Sequence, residues 1–428
     1  MRDCRTRRKP TDRPSRASRR LLDPAAVDDI ALLGDQYEAG GAFALDEKSR
    51  SDATADAGEG WIVEIRSGSR VVVARNAESL PAEETHALAV NAAQRGLDLF
   101  SLRGLGDLHI RQAEDENLTW WKDEGQPIIR IFAVAPLSMD VPAVTVRITD
   151  ASGKERPASP EPETAWHPSF RYFRLAQVSE EVFDAYRNLY LALESILSTR
   201  TPLKPGERDY DWIGRALTEA AADGLNLAAF APKGAVDPVA SIRSELYSDT
   251  RTATFHAKTG KPALLPVDSV DRSVVLDSLS RLAHLWLALV EHTLGVRRSG
   301  GGIFRAGFDL MIGNIVDELQ ICVTDDPVRA EKTDIVANPG GGLVKHLASR
   351  PTPELDRPFL RTLVGEASVE DLTELTHVAR VVTVTSDGTL FTAGQLEGEL
   401  TLGGFDLLRV AMGIRGLNVR QPRSFYPM

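Results

Sequence analysis

Cysteine is almost missing from this chain: Cys4 and Cys322 stand alone, far apart. That excludes a disulfide framework or a thiolate metal cluster and fits a reducing compartment, so a cytoplasmic location is expected. Histidine is scarce, with eight copies. His284 and His292 are eight positions apart, roughly 12 Å along a helix, too far to share a metal. The sequence has no GxxxxGK[ST] loop, no GxSxG elbow and no HExxH pair, which argues against P-loop, serine-hydrolase and zincin chemistry. Nothing in it calls for a metal or another cofactor. No uninterrupted run of about 18 apolar residues occurs, so neither a membrane span nor a membrane partner is expected.

What is present suits a globular chain of two or three domains: 43% hydrophobic and 26% charged residues over 428 positions, enough to bury real cores. The net charge of −11 is uneven. Residues 1–20 hold nine Arg or Lys against two Asp, so the acidic excess lies in the remainder. This start lacks the apolar stretch of a secretory signal and reads as a basic extension. Residues 21–58, rich in Asp, Ala and Gly, complete an N-terminal tail (1–58) expected to be disordered.

Local patterns then change along the chain. "WIVEIRSGSRVVVARN" (61–76) predicts two strands around a Gly-Ser turn. Ser79 offers an N-cap for a helix with Pro81 in its first turn. With "PIIRIFAV" and "PAVTVRITD" as strands, 59–150 reads as a small α+β domain, followed by a Pro-rich linker at 151–169. From 170 to 298 the apolar period becomes helical: Val182, Tyr186, Leu189, Leu193 and Ile196 recur at spacings of three and four. Three more such stretches predict a four-helix bundle, the third helix running unbroken through "DPVASIRSELYSDTRTATFHAKTGKP". After a Gly-rich joint, 303–428 reads as a β-rich domain with an Asp-Gly turn at 387–388. The expected fold class is thus α+β multidomain around a central bundle.

The segment "RTATFHAKTG" (251–260) carries the candidate chemistry. On an ideal helix Arg251 and His256 leave the axis roughly 140° apart, so they are not an i,i+4 pair. A long Arg side chain can still bring its guanidinium to a phosphate beside the imidazole. Arg243, Lys258 and Lys261 add positive charge within nineteen residues, a local phosphate site in an acidic protein. Thr252 and Lys258 join Arg243 as candidate substrate-binding residues. Arg187 and Glu194, nearly in phase on the first helix, are candidates to orient the pair. Each of these also has an ordinary reading as a packed or solvated helix position.

"LYSDTRTATFHAKTG", between "YRNLYLALESIL" and a long last helix, resembles the HEPN superfamily, helical domains with an Arg-x4-6-His motif. The resemblance covers about 130 residues. It implies a metal-independent endoribonuclease, used in toxin or antiviral defence settings, with His256 transferring the proton and Arg251 holding the phosphate. It also implies RNA as partner, a homodimer through the helical domain, and a protein partner such as an antitoxin. Active members commonly have Asn, Asp or His after the motif Arg; here it is Thr252. That departure keeps a non-catalytic binding or scaffold role open. A fainter resemblance, to methylamine-utilisation accessory proteins, implies no mechanism.

Overall fold

The computed structural model describes residues 20–33, 36–111, 113–137, 165–179, 181–255, 264–266, 269–296, 305–331, 333–355 and 360–416. The chain forms two compact units. One comprises Met1–Ala135, Val316–Thr352 and Thr362–Gly413; the other comprises Pro136–Ile315, Pro353–Arg361 and Ile414–Met428.

The first unit is built on strands. In chain order they are β1 (Ala26–Val27), β2 (Ile30–Ala31), β3 (Ala39–Ala44), β4 (Ala53–Gly58), β5 (Trp61–Ile65) and β6 (Val71–Asn76). Helix α1 (Ala82–Leu102) precedes β7 (Glu116–Asp123) and β8 (Gln126–Leu137). Much later come β9 (Gln320–Thr324), β10 (Val344–His346), β11 (Ala348–Pro351) and β12 (Leu360–Ser368). Then follow β13 (Val378–Val384), β14 (Leu390–Thr401) and β15 (Leu407–Gly416). One sheet has the order β10-β9-β13-β14-β1-β2, the other β11-β12-β15-β8-β7-β3-β6-β5-β4.

The larger sheet covers one side of β13, and the segment carrying Asp326, Val328 and Ala337 covers the other, which explains why its VARVVTV run is buried at every position. Gly394 on β14 lets the sheets approach: a Cβ there would lie 2.9 Å from that of Ala133 on β8. A charged clasp adds to the packing, Arg111 reaching Glu116 at 3.1 Å and Glu397 at 2.9 Å. The opposite face of the larger sheet carries α1. Its inner face is small (Ala89, Ala92, Ala93, Gly96), and a Cβ on Gly96 would meet Val63 at 2.4 Å. Close approach is therefore what the small residues provide.

The second unit is helical: α2 (Pro168–Val178), α3 (Val182–Arg200), α4 (Asp209–Ala222), α5 (Pro238–Arg243), α6 (Thr252–Phe255), α7 (Ser269–Leu294) and α8 (Arg305–Val316). The apolar stripe of α3 is its centre, with Tyr186, Leu189, Leu193 and Ile196 at most 1% exposed. Each such side chain stabilises the unit by about 1.5–3 kcal/mol. Val270–Leu294 is long and apolar enough to cross a membrane by length and composition. It packs instead as a core helix: Leu279, Leu282 and Leu289 are buried, Trp286 stacks on Phe173 at 4.2 Å, and its indole donates to the Ala192 carbonyl.

Several expectations are corrected. The α+β class built around a central helical bundle is overturned, because two large, mostly antiparallel sheets of six and nine strands dominate the described residues. Helical periodicity is conspicuous in sequence, whereas short strands paired across hundreds of residues leave little local signal. Residues 21–58 are not a disordered tail, since they supply β1 to β4. The separate N- and C-terminal domains are not separate either: β7 and β8 share one sheet with β11, β12 and β15. Ser79 does not cap α1, which starts after Pro81 without a side-chain cap. The β-rich region expected from 303 opens with a helix, α8. Most of the linker (151–164) and the Gly-rich joint lie outside the described residues.

Candidate functional site

The helical unit departs from regular geometry where the sequence drew attention. The expected third helix is not continuous: between α5 and α6, Ser244–Arg251 forms a π-helix. Such widened turns are uncommon and frequent at functional sites. Side chains satisfy its displaced carbonyls. The Thr252 hydroxyl donates to the Tyr247 carbonyl (2.8 Å), Tyr186 to that of Leu246 (2.9 Å) and Thr254 to that of Thr250 (2.9 Å). The π turn changes the phase assumed for an ideal helix, and Tyr247 and Phe255, four residues to either side of Arg251, both lie against its guanidinium.

Arg251 is held by that stacking. Its guanidinium carbon lies 4.6 Å from the Tyr247 ring centre, 5.4 Å from Phe255 and 5.4 Å from Tyr190 on α3. Its ion pair is loose: Asp209, in the first turn of α4, is 3.8 Å away. The Arg251 side chain is 20% exposed, yet its Nε is buried without a hydrogen-bond partner. The Tyr190 hydroxyl is likewise buried and unpartnered. Burial, and then the neighbouring Glu194 charge, raise its pKa. Burial also pushes the Glu194 carboxyl up, opposed by the positive charge of Arg251 and reinforced by Asp209.

The other candidates divide. Arg187 donates to the Thr254 carbonyl at 2.7 Å, pairs with Asp184 at 2.9 Å and lies over Phe255 at 5.7 Å. It braces the chain just beyond Arg251. Arg243 stacks on Tyr210 at 4.1 Å, and Tyr210 meets Tyr247 edge-on, so it adjoins the cluster through aromatic rings. Thr252 has its hydroxyl engaged inside the π turn, which leaves it a local structural role. His256 and Lys258 lie outside the described residues. Sequence reasoning missed Asp209, Tyr190 and the aromatic flanks. The spacing Tyr247-x3-Arg251-x3-Phe255 was a readable signal for the last of these.

Such a site can do two things. A guanidinium fixed by aromatic faces, with an unused N–H in a partly desolvated setting, is preorganised for an oxyanion. A carboxyl and a phenol with raised pKa values nearby keep protons available to it. No family model, curated protein or solved structure matches the chain.

Proposed function

We propose that the helical unit binds RNA by its backbone phosphate at Arg251 and cleaves it by proton transfer at His256. The chain acts in this reading as a cytoplasmic ribonuclease that needs no metal, working as a homodimer. The observation that carries the reading is the Arg251 guanidinium: aromatic rings hold it, but its Nε has no acceptor and its carboxylate partner stays at 3.8 Å. With the side chain still 20% exposed, the remaining N–H donors of this loosely paired guanidinium can meet a phosphodiester. A non-catalytic binding or scaffold role, with a ligand other than RNA, is favoured by one observation, the acidic groups Glu194 and Asp209 beside Arg251, which oppose an anion there.

RNA cleavage and RNA binding separate the two. In EDTA-containing buffer, Arg251→Ala and His256→Ala should each slow cleavage by about a hundredfold or more, a loss on the order of 3 kcal/mol in transition-state stabilisation. RNA that binds wild-type protein, loses affinity with Arg251→Ala, and stays intact throughout would keep RNA binding and reject cleavage. RNA that neither binds nor is cut, across varied sequences, would reject the RNA reading and favour the scaffold role.

A further inference from the structure

The sheet unit buries several arginines, and most have a clear electrostatic partner. Arg380, fully buried, pairs with Asp326 at 3.3 Å and donates to the carbonyls of Val328 and Ala337. Arg75 pairs with Glu64, and Arg111 with two glutamates. Arg130 on β8 is different. It has no carboxylate partner among the described residues, and its Nε is buried without an acceptor. An uncompensated, desolvated charge is costly, so its persistence asks for an explanation.

Its surroundings add positive charge. Arg130 lies 5.5 Å from the Trp121 ring centre, and Arg409 on the adjacent strand β15 lies 5.8 Å from the same ring. Burial first, then the Arg409 charge, lower the pKa of the Arg130 guanidinium, which still stays protonated. One carboxylate, Glu366, serves the pair, and it contacts Arg409 at 2.6 Å. Two guanidiniums against one carboxylate leave a net positive charge. Thr119 stands directly opposite Arg130 in the β7–β8 register, hence on the same sheet face. Its hydroxyl too is buried without a partner. Access from solvent remains, as Arg130 is half-buried and the Arg409 side chain 32% exposed.

We propose that Arg130 and Arg409, backed by Trp121, form an anion site that takes a phosphoryl group, free or esterified. Guanidiniums match phosphate oxygens with paired N–H donors. A tetrahedral anion presents oxygens in several directions and can accept from both arginines at once. A planar carboxylate from outside would repeat what Glu366 already supplies. The site rests on the sheet unit alone and is independent of the Arg251 reading.

Thermal unfolding of the full chain tests it, with inorganic phosphate, adenosine 5′-monophosphate, acetate or chloride added at equal ionic strength. Phosphate or the nucleotide should raise the wild-type Tm progressively with concentration, as a ligand of the native state does. Whichever acts at lower concentration identifies the free or the esterified source. Arg130→Gln should raise the Tm without ligand, by removing an uncompensated charge, and should lose the phosphate increment. Arg409→Gln, at a more exposed position, should weaken phosphate binding by calorimetric titration about tenfold or more. That second variant keeps the question answerable if Arg130→Gln fails to fold. Absence of a wild-type increment would overturn the proposal, as would the same increment in both variants or from acetate.

Discussion

Glu194 and Arg251 show how one side chain's setting decides its chemistry. Burial is the largest influence on Glu194 and raises its pKa against the opposing charge of Arg251. A carboxyl whose folded-state pKa is raised contributes stability that is complete below its unfolded value and disappears as pH rises through the folded one. Glu194→Gln, which cannot ionise, should therefore be more stable than wild type at neutral pH. The gap should close as pH falls into the ordinary carboxylate range. Urea unfolding across that range measures it; a variant less stable at neutral pH would mean that pairing with Arg251 outweighs burial. At this scale the sequence was partly legible. Arg251, Arg187 and Glu194 were singled out from composition and spacing, and they do gather around the π turn. Asp209 was not, because it arrives from another helix and carries no local mark. Tyr190 was read within a helix of apolar phase, and only its three-dimensional neighbours reveal an unpartnered hydroxyl.

The π-helix is the element on which the candidate site depends. An ideal helix would rotate Tyr247, Arg251 and Phe255 progressively around the axis, 40° beyond each full turn for every four residues by the ~100° step per residue. The wider turn changes the phase between Tyr247 and Arg251, Phe255 follows on α6, and both rings flank one guanidinium. Nothing in the residue pattern announces a π turn, since the apolar phase of Ile242, Leu246 and Ala253 fits an ordinary helix well enough. What holds it is side-chain bonding, above all the Thr252 hydroxyl on the Tyr247 carbonyl at 2.8 Å. Thr252→Val keeps the shape and deletes that bond. It should cost about 1 kcal/mol of stability, the usual net value of one hydrogen bond, by chemical denaturation. On the proposed RNA-binding reading, affinity for RNA should fall along with it through misplacement of Arg251, whereas a hydroxyl that touched RNA directly would lower affinity with stability unchanged. The elements that were legible are those with strong local chemistry: the β5–β6 pair around its turn, the periodic α3, and the Asp387-Gly388 turn, where Gly388 takes φ +84°.

At the scale of the whole molecule, the sheets are assembled from segments that the sequence keeps far apart, and this is why local patterns do not reveal how the strands are shared. β3 is the instructive case. Its residues, AGGAFA, have no β-branched side chain and resembled a disordered stretch, yet all six are buried. Their smallness is what the position needs: Gly40 sits under Trp120, whose ring atoms would lie 2.3 Å from an added Cβ. β3 occupies the interior of the larger sheet, between β7 and β6, pairing Gly41 with Thr119 on one side and Ala74 on the other. A fragment of residues 59–150, the small domain that local patterns suggest, would lack this strand. It would leave β6 and β7 without their shared neighbour and β8 without β15, exposing unpaired backbone and apolar surface along both gaps. Such a fragment should therefore fail to fold, with poorly dispersed amide resonances and no cooperative thermal transition. Residues 136–315, which hold the contiguous helical core, should unfold cooperatively with a helical circular dichroism signal. A well-dispersed spectrum from 59–150 would show that the interior strand is dispensable and that long-range pairing does not define this unit.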